Sequence, residues 1–149
     1  MSATSAPHNR QVAKIDPEFV QAAIDAVADE WERRSLAAEV LSRFVGDAEA
    51  DALLLRLLTD KRDSMVVSVA ATALASRGDK RSLELVCEAL GELEEREDWD
   101  LGQWILEGFL PEPTAEATAL LREISVEQTS DGARRAAAAS ILGFYRRTE

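Results

Sequence analysis

The sequence predicts an all-α protein built as an α-solenoid of stacked helical hairpins, with seven to eight helices. A short pattern, in which two small residues and two variable ones precede Leu or Ile, recurs at residues 37–41, 70–74 and 138–142. A weaker copy occupies residues 101–105, so that the second small residue recurs after 33, 31 and 37 positions. A repeat of this length in a chain rich in Ala and Leu is typical of helical hairpins that stack on their neighbours.

The composition agrees with one globular domain. Of the 149 residues, 46% are hydrophobic and 30% are charged, as in an ordinary globular protein. We expect a mobile polar tail over residues 1–14 and a single helical repeat domain over residues 15–149. No apolar run approaches the roughly 20 residues that cross a bilayer, and the single Cys87 has no partner for an internal disulfide. These features predict a cytoplasmic protein.

The entry helix and the first hairpin are defined by helix starts and stops. Asp16 and Pro17 predict the beginning of an entry helix over residues 17–29. The first hairpin then pairs helices over residues 31–45 and 48–59, with Gly46-Asp47 between them. The apolar side chains expected to face the core are Phe19, Ala23, Ile24, Val27 and Ala28 in the entry helix, and Leu36, Val40, Leu41 and Phe44 in the next helix.

The second hairpin has the clearest pattern, and the third unit departs from it. Val66, Ala70 and Leu74 belong to the inner stripe of one helix, the turn at 77–79 contains Gly78, and the partner helix covers residues 80–94. The third unit begins with a helix over residues 97–110, which is ended by Pro111 and Pro113. Thr114 is expected to cap the following helix, and a last helix covers residues 131–146.

Residues 63–90 resemble a HEAT repeat, and most of all the short HEAT-like repeats also found in phycobilisome lyase-type proteins. In those repeats an Asp and a Val-Arg pair precede an Ala-Ala-x-x-Leu core, a Gly-Asp turn follows, and Ala-Leu ends the second helix. The matching features are Asp63, the core at 70–74, the turn at 78–79 and the pair at 89–90. The resemblance implies an α-solenoid over residues 31–147.

The resemblance is uneven along the chain. Arg34 and Arg135 fall at the family's Arg position in the first and last units, whereas Val67 replaces it in the second. The third unit keeps almost none of the motif. The resemblance implies no particular activity, because the motif residues are structural.

The residue inventory argues against an enzyme. His8 is the only histidine and lies in the predicted tail, so one chain assembles neither a His-based triad nor a multi-His metal site. The sequence contains no Gly-rich phosphate loop. Cys87 lies within an apolar helical stripe, where a thiol usually behaves as a small hydrophobe. We therefore predict no catalytic, metal or cofactor site.

The net charge restricts the class of partner. The chain carries 28 acidic and 17 basic residues, a formal net charge of −11. Nucleic acids and anionic membranes bind proteins through Lys and Arg, so both are disfavoured as partners. A protein with a basic surface would instead be attracted.

Residues 92–100, called the acidic edge below, are the strongest candidate for a binding surface. They contain six acids and one Arg, a local charge of −5 in nine residues, and they include Trp99. Trp31 and Trp104 have apolar neighbours at helical spacing and are expected in the core or in packing between repeats, whereas Trp99 between two Asp is expected to be exposed. The plainer alternative is a hydrated, charged helix end. The candidate partner-binding residues are Glu92, Glu94, Glu95, Glu97, Asp98, Trp99 and Asp100, together with Glu84 and Glu88 on the helix before them.

These features favour a HEAT-like interaction module, a scaffold or adaptor whose acidic, Trp-containing edge contacts a basic protein. One alternative is an immunity-type or inhibitor-type protein that neutralises a basic toxin or nuclease, and another is a lyase-like cofactor chaperone. Self-association is a third, because Arg134, Arg135, Arg146 and Arg147 make the last helix basic and complementary to the acidic edge of a second copy.

Overall fold

The computed structural model describes residues 16–108, 114–127 and 132–148, with residues 133 and 145–148 described by their backbone alone. The fold is all-α, as predicted: the described residues form helices joined by turns and contain no strand. The predicted tail with His8, both prolines after residue 110, and the side chains of Arg146 and Arg147 lie outside the described part. The helices are α1 (Pro17–Asp25), α2 (Trp31–Leu41), α3 (Ala48–Leu58), α4 (Ser64–Arg77), α5 (Lys80–Glu95), α6 (Trp99–Glu107), α7 (Ala115–Val126) and α8 (Gly132–Thr148).

Aspartate side chains begin most of the helices. The predicted caps are confirmed: Asp16 accepts from the backbone N–H of Glu18, and Asp47 from that of Ala50. Thr114 caps α7 in the same way. The remaining capping carboxylates are Asp63, Asp79 and Asp98, which precede α4, α5 and α6. Since each cap satisfies an orphan N–H group at a helix start, part of the chain's negative charge serves its secondary structure.

Two central helices organise the core. Helix α4 packs against α2, α3, α5 and α6, and α5 packs against α3, α6, α7 and α8. Helix α1 lies on α2 at one end, and α7 and α8 pack on each other at the other end. Among the described residues, the longest buried apolar series belongs to α5, which is covered on several sides. Its members are Leu83, Leu85, Val86, Cys87, Ala89, Leu90 and Leu93.

The small residues of the recurring pattern allow close helix contacts. Ala70 and Ala71 of α4 are completely buried. A methyl group placed on Gly108, at the end of α6, would lie 2.6 Å from the Cβ of Ala71 and 3.2 Å from its carbonyl carbon. No side chain larger than hydrogen fits there without movement. The contact between α4 and α6 therefore depends on Ala71 and Gly108 together.

The entry helix ends at Asp25 and not at residue 29 as predicted, and the buried stripes predicted for it and for α2 are wrong at three positions. Ile24, Val27 and Leu36 are about half exposed, at 53%, 50% and 55%. Phe19 and Leu41 are buried as predicted, and the helices also bury Ala22 in α1 and Arg34, Ala37 and Ala38 in α2. The small-residue faces meet because they permit the closest approach of the two helices, and the bulkier aliphatic residues are left facing outward.

The tryptophan predictions are partly wrong. The sequence predicts Trp31 and Trp104 in the core or in packing between repeats, but Trp31 is 42% exposed and Trp104 is 36% exposed. Trp31 is the first residue of α2, and α6 buries Leu101, Gly102 and Ile105 on a face that leaves Trp104 out. The exposed position predicted for Trp99 is confirmed, since 64% of its surface remains accessible.

Candidate partner-binding surface

The acidic edge comprises the last turn of α5, a tight turn at residues 96–98 and the first two residues of α6. The backbone N–H of Asp98 donates to the carbonyl of Leu93 at 2.9 Å, and the N–H of Glu97 donates to the carbonyl of Glu94 at 3.0 Å. This pair of bonds is the Schellman arrangement, which satisfies the last carbonyls of a helix. It fixes the direction in which the chain leaves α5 and begins α6, so the edge is held by its own backbone.

Glu97 occupies the position in this turn that normally requires glycine. Its φ of 58° is left-handed, and it is the only non-glycine residue with positive φ in the described part of the chain. The Cβ of an L-residue is crowded in that conformation, at a cost of roughly 1 kcal/mol. By contrast, Gly78 has a φ of 66° at the equivalent end of α4. The acidic edge therefore contains a glutamate whose backbone conformation glycine would adopt at a lower cost in free energy.

The end of α5 also opposes its own helix dipole. Glu92, Glu94 and Glu95 lie in its last turn, which contains no basic residue. Negative side chains are unfavourable at a helix C-terminus, where the free carbonyls carry partial negative charge. Only Arg96, immediately after the helix, offsets this by pairing with Glu92. The acidic edge thus combines two features that lower local stability.

The edge presents both free carboxylates and an exposed indole. Glu95, Glu97 and Asp100 are exposed, and Glu94 is half-buried. None of these four side chains has an ion pair or a hydrogen bond within the described residues. Trp99 is the first residue of α6 and projects a large apolar surface among them.

Two of the candidate residues have structural roles instead. Asp98 accepts from the backbone N–H of Leu101 at 3.3 Å and so caps α6. Glu92 is engaged by Arg96. The carboxylates directly available to a partner are therefore those of Glu94, Glu95, Glu97 and Asp100.

Glu84 and Glu88 lie on the same face of α5 as Glu92, because they precede it by two helical turns and one. Arg134 of α8 reaches both of them, with N–O distances of 3.8 Å to Glu84 and 3.3 Å to Glu88. The structure thus places these two carboxylates in contact with α8. The acidic face of α5 is open to a basic partner mainly at its C-terminal end.

A second feature, which the sequence did not indicate, is a cleft of about 390 Å³ beside the C-terminal ends of α3 and α5. Four cations from three segments of the chain line it: Arg56, Lys61, Arg62 and Arg96. We call it the cationic cleft. Its other lining residues are Ala26, Val27, Leu57, Thr59 and Asp60. No local sequence motif indicates the cleft, because Arg56 and Arg96 are 40 positions apart in the chain.

Asp60 in the lining of the cationic cleft belongs to a buried ion pair with Arg34. Arg34, only 2% exposed, donates from Nε to Oδ2 of Asp60 at 2.7 Å. Its Nη1 also donates to the carbonyls of Ala28 and Asp29, at 3.0 and 2.6 Å. The other oxygen of Asp60 accepts from the backbone N–H of Arg62 at 2.8 Å. This network holds together the α1–α2 loop, the α3–α4 loop and α2.

Cys87 is completely buried within α5. Burial inside the protein raises the pKa of its thiol to about 12, and Arg134 only partly opposes this. The thiol therefore stays protonated at neutral pH, where a nucleophile or metal ligand would need the thiolate. The described residues also contain no group of His, Cys, Asp and Glu arranged to hold a metal ion.

None of the helices in the described residues has the length and hydropathy needed to cross a membrane. Comparison with protein-family models, with curated proteins and with solved structures finds no match for this chain.

Proposed function

We propose that this chain is a protein-interaction module of the HEAT-like type, and that its acidic edge contacts a basic surface of another protein. The helix contacts support the repeat architecture, since α2, α4 and α6 follow one another in one series and α3 and α5 in a second. The buried Arg34 is consistent with the structural role that the family resemblance gives this position.

The proposed function depends mainly on one observation: several residues that lower local stability lie together at one exposed turn. Glu97 takes a conformation suited to glycine, and the last turn of α5 holds acids that its dipole disfavours. Sequences usually agree with their structure at every level, and departures from this agreement concentrate at functional sites. A partner that neutralises these charges would relieve the repulsion between the carboxylates and the helix dipole. Binding would then compensate for the local loss of stability.

The chemistry of the edge defines the partner. Trp99 offers a large apolar area at a low entropic cost, as in many interface hot spots. The surrounding carboxylates would accelerate encounter with a Lys/Arg-rich surface and set its orientation. The partner's complementary surface should therefore combine Lys or Arg with an apolar patch that receives the indole. No chemical reaction is part of this proposal.

The first test is capture of a partner on the tagged full chain from an extract of the source cells, at low and at high salt. A basic protein retained at low salt and released at high salt is expected, because exposed charges are screened as ionic strength rises. The affinity of that purified protein is then measured by calorimetry. If every captured protein is acidic or indifferent to salt, the proposal is wrong.

Substitutions then locate the surface. Trp99→Ala is expected to weaken binding roughly 30-fold, the effect of losing a hot spot. Glu94→Gln with Glu95→Gln is expected to weaken binding without lowering the unfolding midpoint, because the same change relieves the dipole conflict. The matched control removes two exposed carboxylates of α2, Glu32→Gln with Glu39→Gln. Equal losses of affinity in the two double variants would contradict an edge-specific contact.

A further inference from the structure

The cationic cleft contrasts with the rest of this acidic molecule. Arg56 belongs to the last turn of α3, Lys61 and Arg62 to the α3–α4 loop, and Arg96 directly follows α5. Their convergence opposes the overall charge of −11. Local fields dominate at such a site, since charges farther away than about 8–10 Å are largely screened at physiological salt.

The charges in the cleft are only partly compensated. Arg62 pairs with Asp29 at 3.4 Å, and Arg96 pairs with Glu92. Arg56 and Lys61 have no carboxylate partner within the described residues. The one carboxylate in the lining, Asp60, is already neutralised by the buried Arg34. The cleft therefore holds about two uncompensated positive charges.

The loop that supplies two of the cations, Lys61 and Arg62, is preorganised. Asp60 accepts from the backbone N–H of Arg62 at 2.8 Å and from that of Asp63 at 3.1 Å, which fixes the loop that carries Lys61 and Arg62. The side chain of Arg62 also reaches the carbonyl of Ala28 at 3.4 Å. Binding sites gain affinity when their charged groups are held in place before the ligand arrives.

We propose that the cationic cleft binds a phosphate monoester. The phosphate group carries a charge of about −1.5 to −2 at neutral pH, which matches the uncompensated charge of the cleft. Guanidinium groups bind phosphate oxygens in a bidentate manner, and Lys adds a mobile point charge. The volume of about 390 Å³ exceeds what a phosphate needs, and Val27 provides an apolar wall for the organic group of the ester.

The binding test uses phenyl phosphate and phenyl sulfate as probes, titrated into the full chain at 0.15 M salt. Phenyl phosphate is expected to bind more tightly at pH 7.5 than at pH 5, because its second ionisation occurs near pH 6. Phenyl sulfate keeps a single charge and should bind more weakly at pH 7.5, with little change between the two pH values. Equal affinities for the two probes at pH 7.5, or no saturable binding of phenyl phosphate, would overturn the proposal.

Variants assign the binding to the cleft. Arg56→Gln with Lys61→Gln removes the two unpaired cations, and at least a tenfold loss of phenyl phosphate affinity is expected. The matched control is Arg122→Gln with Arg135→Gln, which lowers the net charge equally but alters cations outside the lining. The control should retain affinity within about twofold. A similar loss in both variants would show a general charge effect and overturn the assignment.

Two sources could supply the phosphate monoester, a free metabolite or a phosphorylated side chain of another protein. Phosphoserine and a phosphoserine-containing peptide distinguish them. A peptide that binds tenfold or more tightly than the amino acid supports a protein source, and equal affinities support a small molecule. Neither the phosphoserine nor the peptide measurement involves Trp99. This proposal can therefore fail without affecting the proposed function of the acidic edge.

Discussion

At the scale of single residues, the most informative position is Glu97. Its backbone completes the turn after α5, in which its N–H donates to the carbonyl of Glu94 at 3.0 Å. Composition and charge draw attention to the acids around it, but they do not reveal that one of them has a positive φ. The conformation follows from how α6 must leave α5, which is a property of the packed helices.

Glu97→Gly is expected to stabilise the protein by about 0.5–1 kcal/mol, because glycine adopts the left-handed conformation without crowding and this gain exceeds its greater freedom in the unfolded chain. Urea unfolding followed by circular dichroism measures the change. Glu97→Gln is the control for the lost charge and should show no comparable gain. Glu94→Gly, where the backbone is helical, should destabilise by up to about 1 kcal/mol. A destabilised Glu97→Gly would contradict the left-handed turn.

Asp60 is the residue whose loss should matter most for stability. Asp60→Ala leaves the buried Arg34 without its carboxylate and removes the acceptor for two backbone N–H groups. Breaking a buried pair in this way costs about 3–5 kcal/mol. Asp63→Ala removes only the cap of α4 and should cost about 1 kcal/mol. Equal unfolding midpoints for the two variants would show that the buried pair is not a central support.

At the scale of helices, the sequence indicated most of the helix starts but fewer of the ends, since the helix predicted over residues 31–45 ends at Leu41 and continues only as a 3-10 turn over Ser42–Phe44. Capping residues and glycines are local signals, so the starts at Asp16, Asp47 and Thr114 could be predicted from the chain alone. The faces were harder to assign, as Leu36 shows, because α2 carries apolar residues on more than one side. Which side is buried depends on where α4 lies.

The contact between α4 and α6 gives the prediction at this scale. Gly108→Ala is expected to destabilise the protein by about 1–3 kcal/mol, because the new methyl group would lie 2.6 Å from the Cβ of Ala71. Ala71→Leu should act in the same direction. Gly102→Ala is the matched control, since its methyl group would approach only a flexible end of Leu90 at 3.4 Å. The midpoint of thermal unfolding is measured for all three variants. A Gly108→Ala variant with an unchanged midpoint would exclude the close contact.

At the scale of the whole molecule, the two candidate sites are joined by Arg96. This residue pairs with Glu92 of the acidic edge and also lines the cationic cleft. The acidic edge was recognisable in the sequence because its residues are consecutive. The cleft was not, because its cations come from two helix ends and a loop that meet only after α3 packs against α5.

The sequence alone determined the helical class, the helix starts and the strongly acidic segment, because caps, periodicity and charge act over a few neighbouring residues. Only the tertiary structure decided that Trp104 is exposed, that Arg134 engages Glu84 and Glu88, and that Arg34 is buried against Asp60. These outcomes depend on which helices touch. Such contacts join residues far apart in the chain, and no local pattern records them.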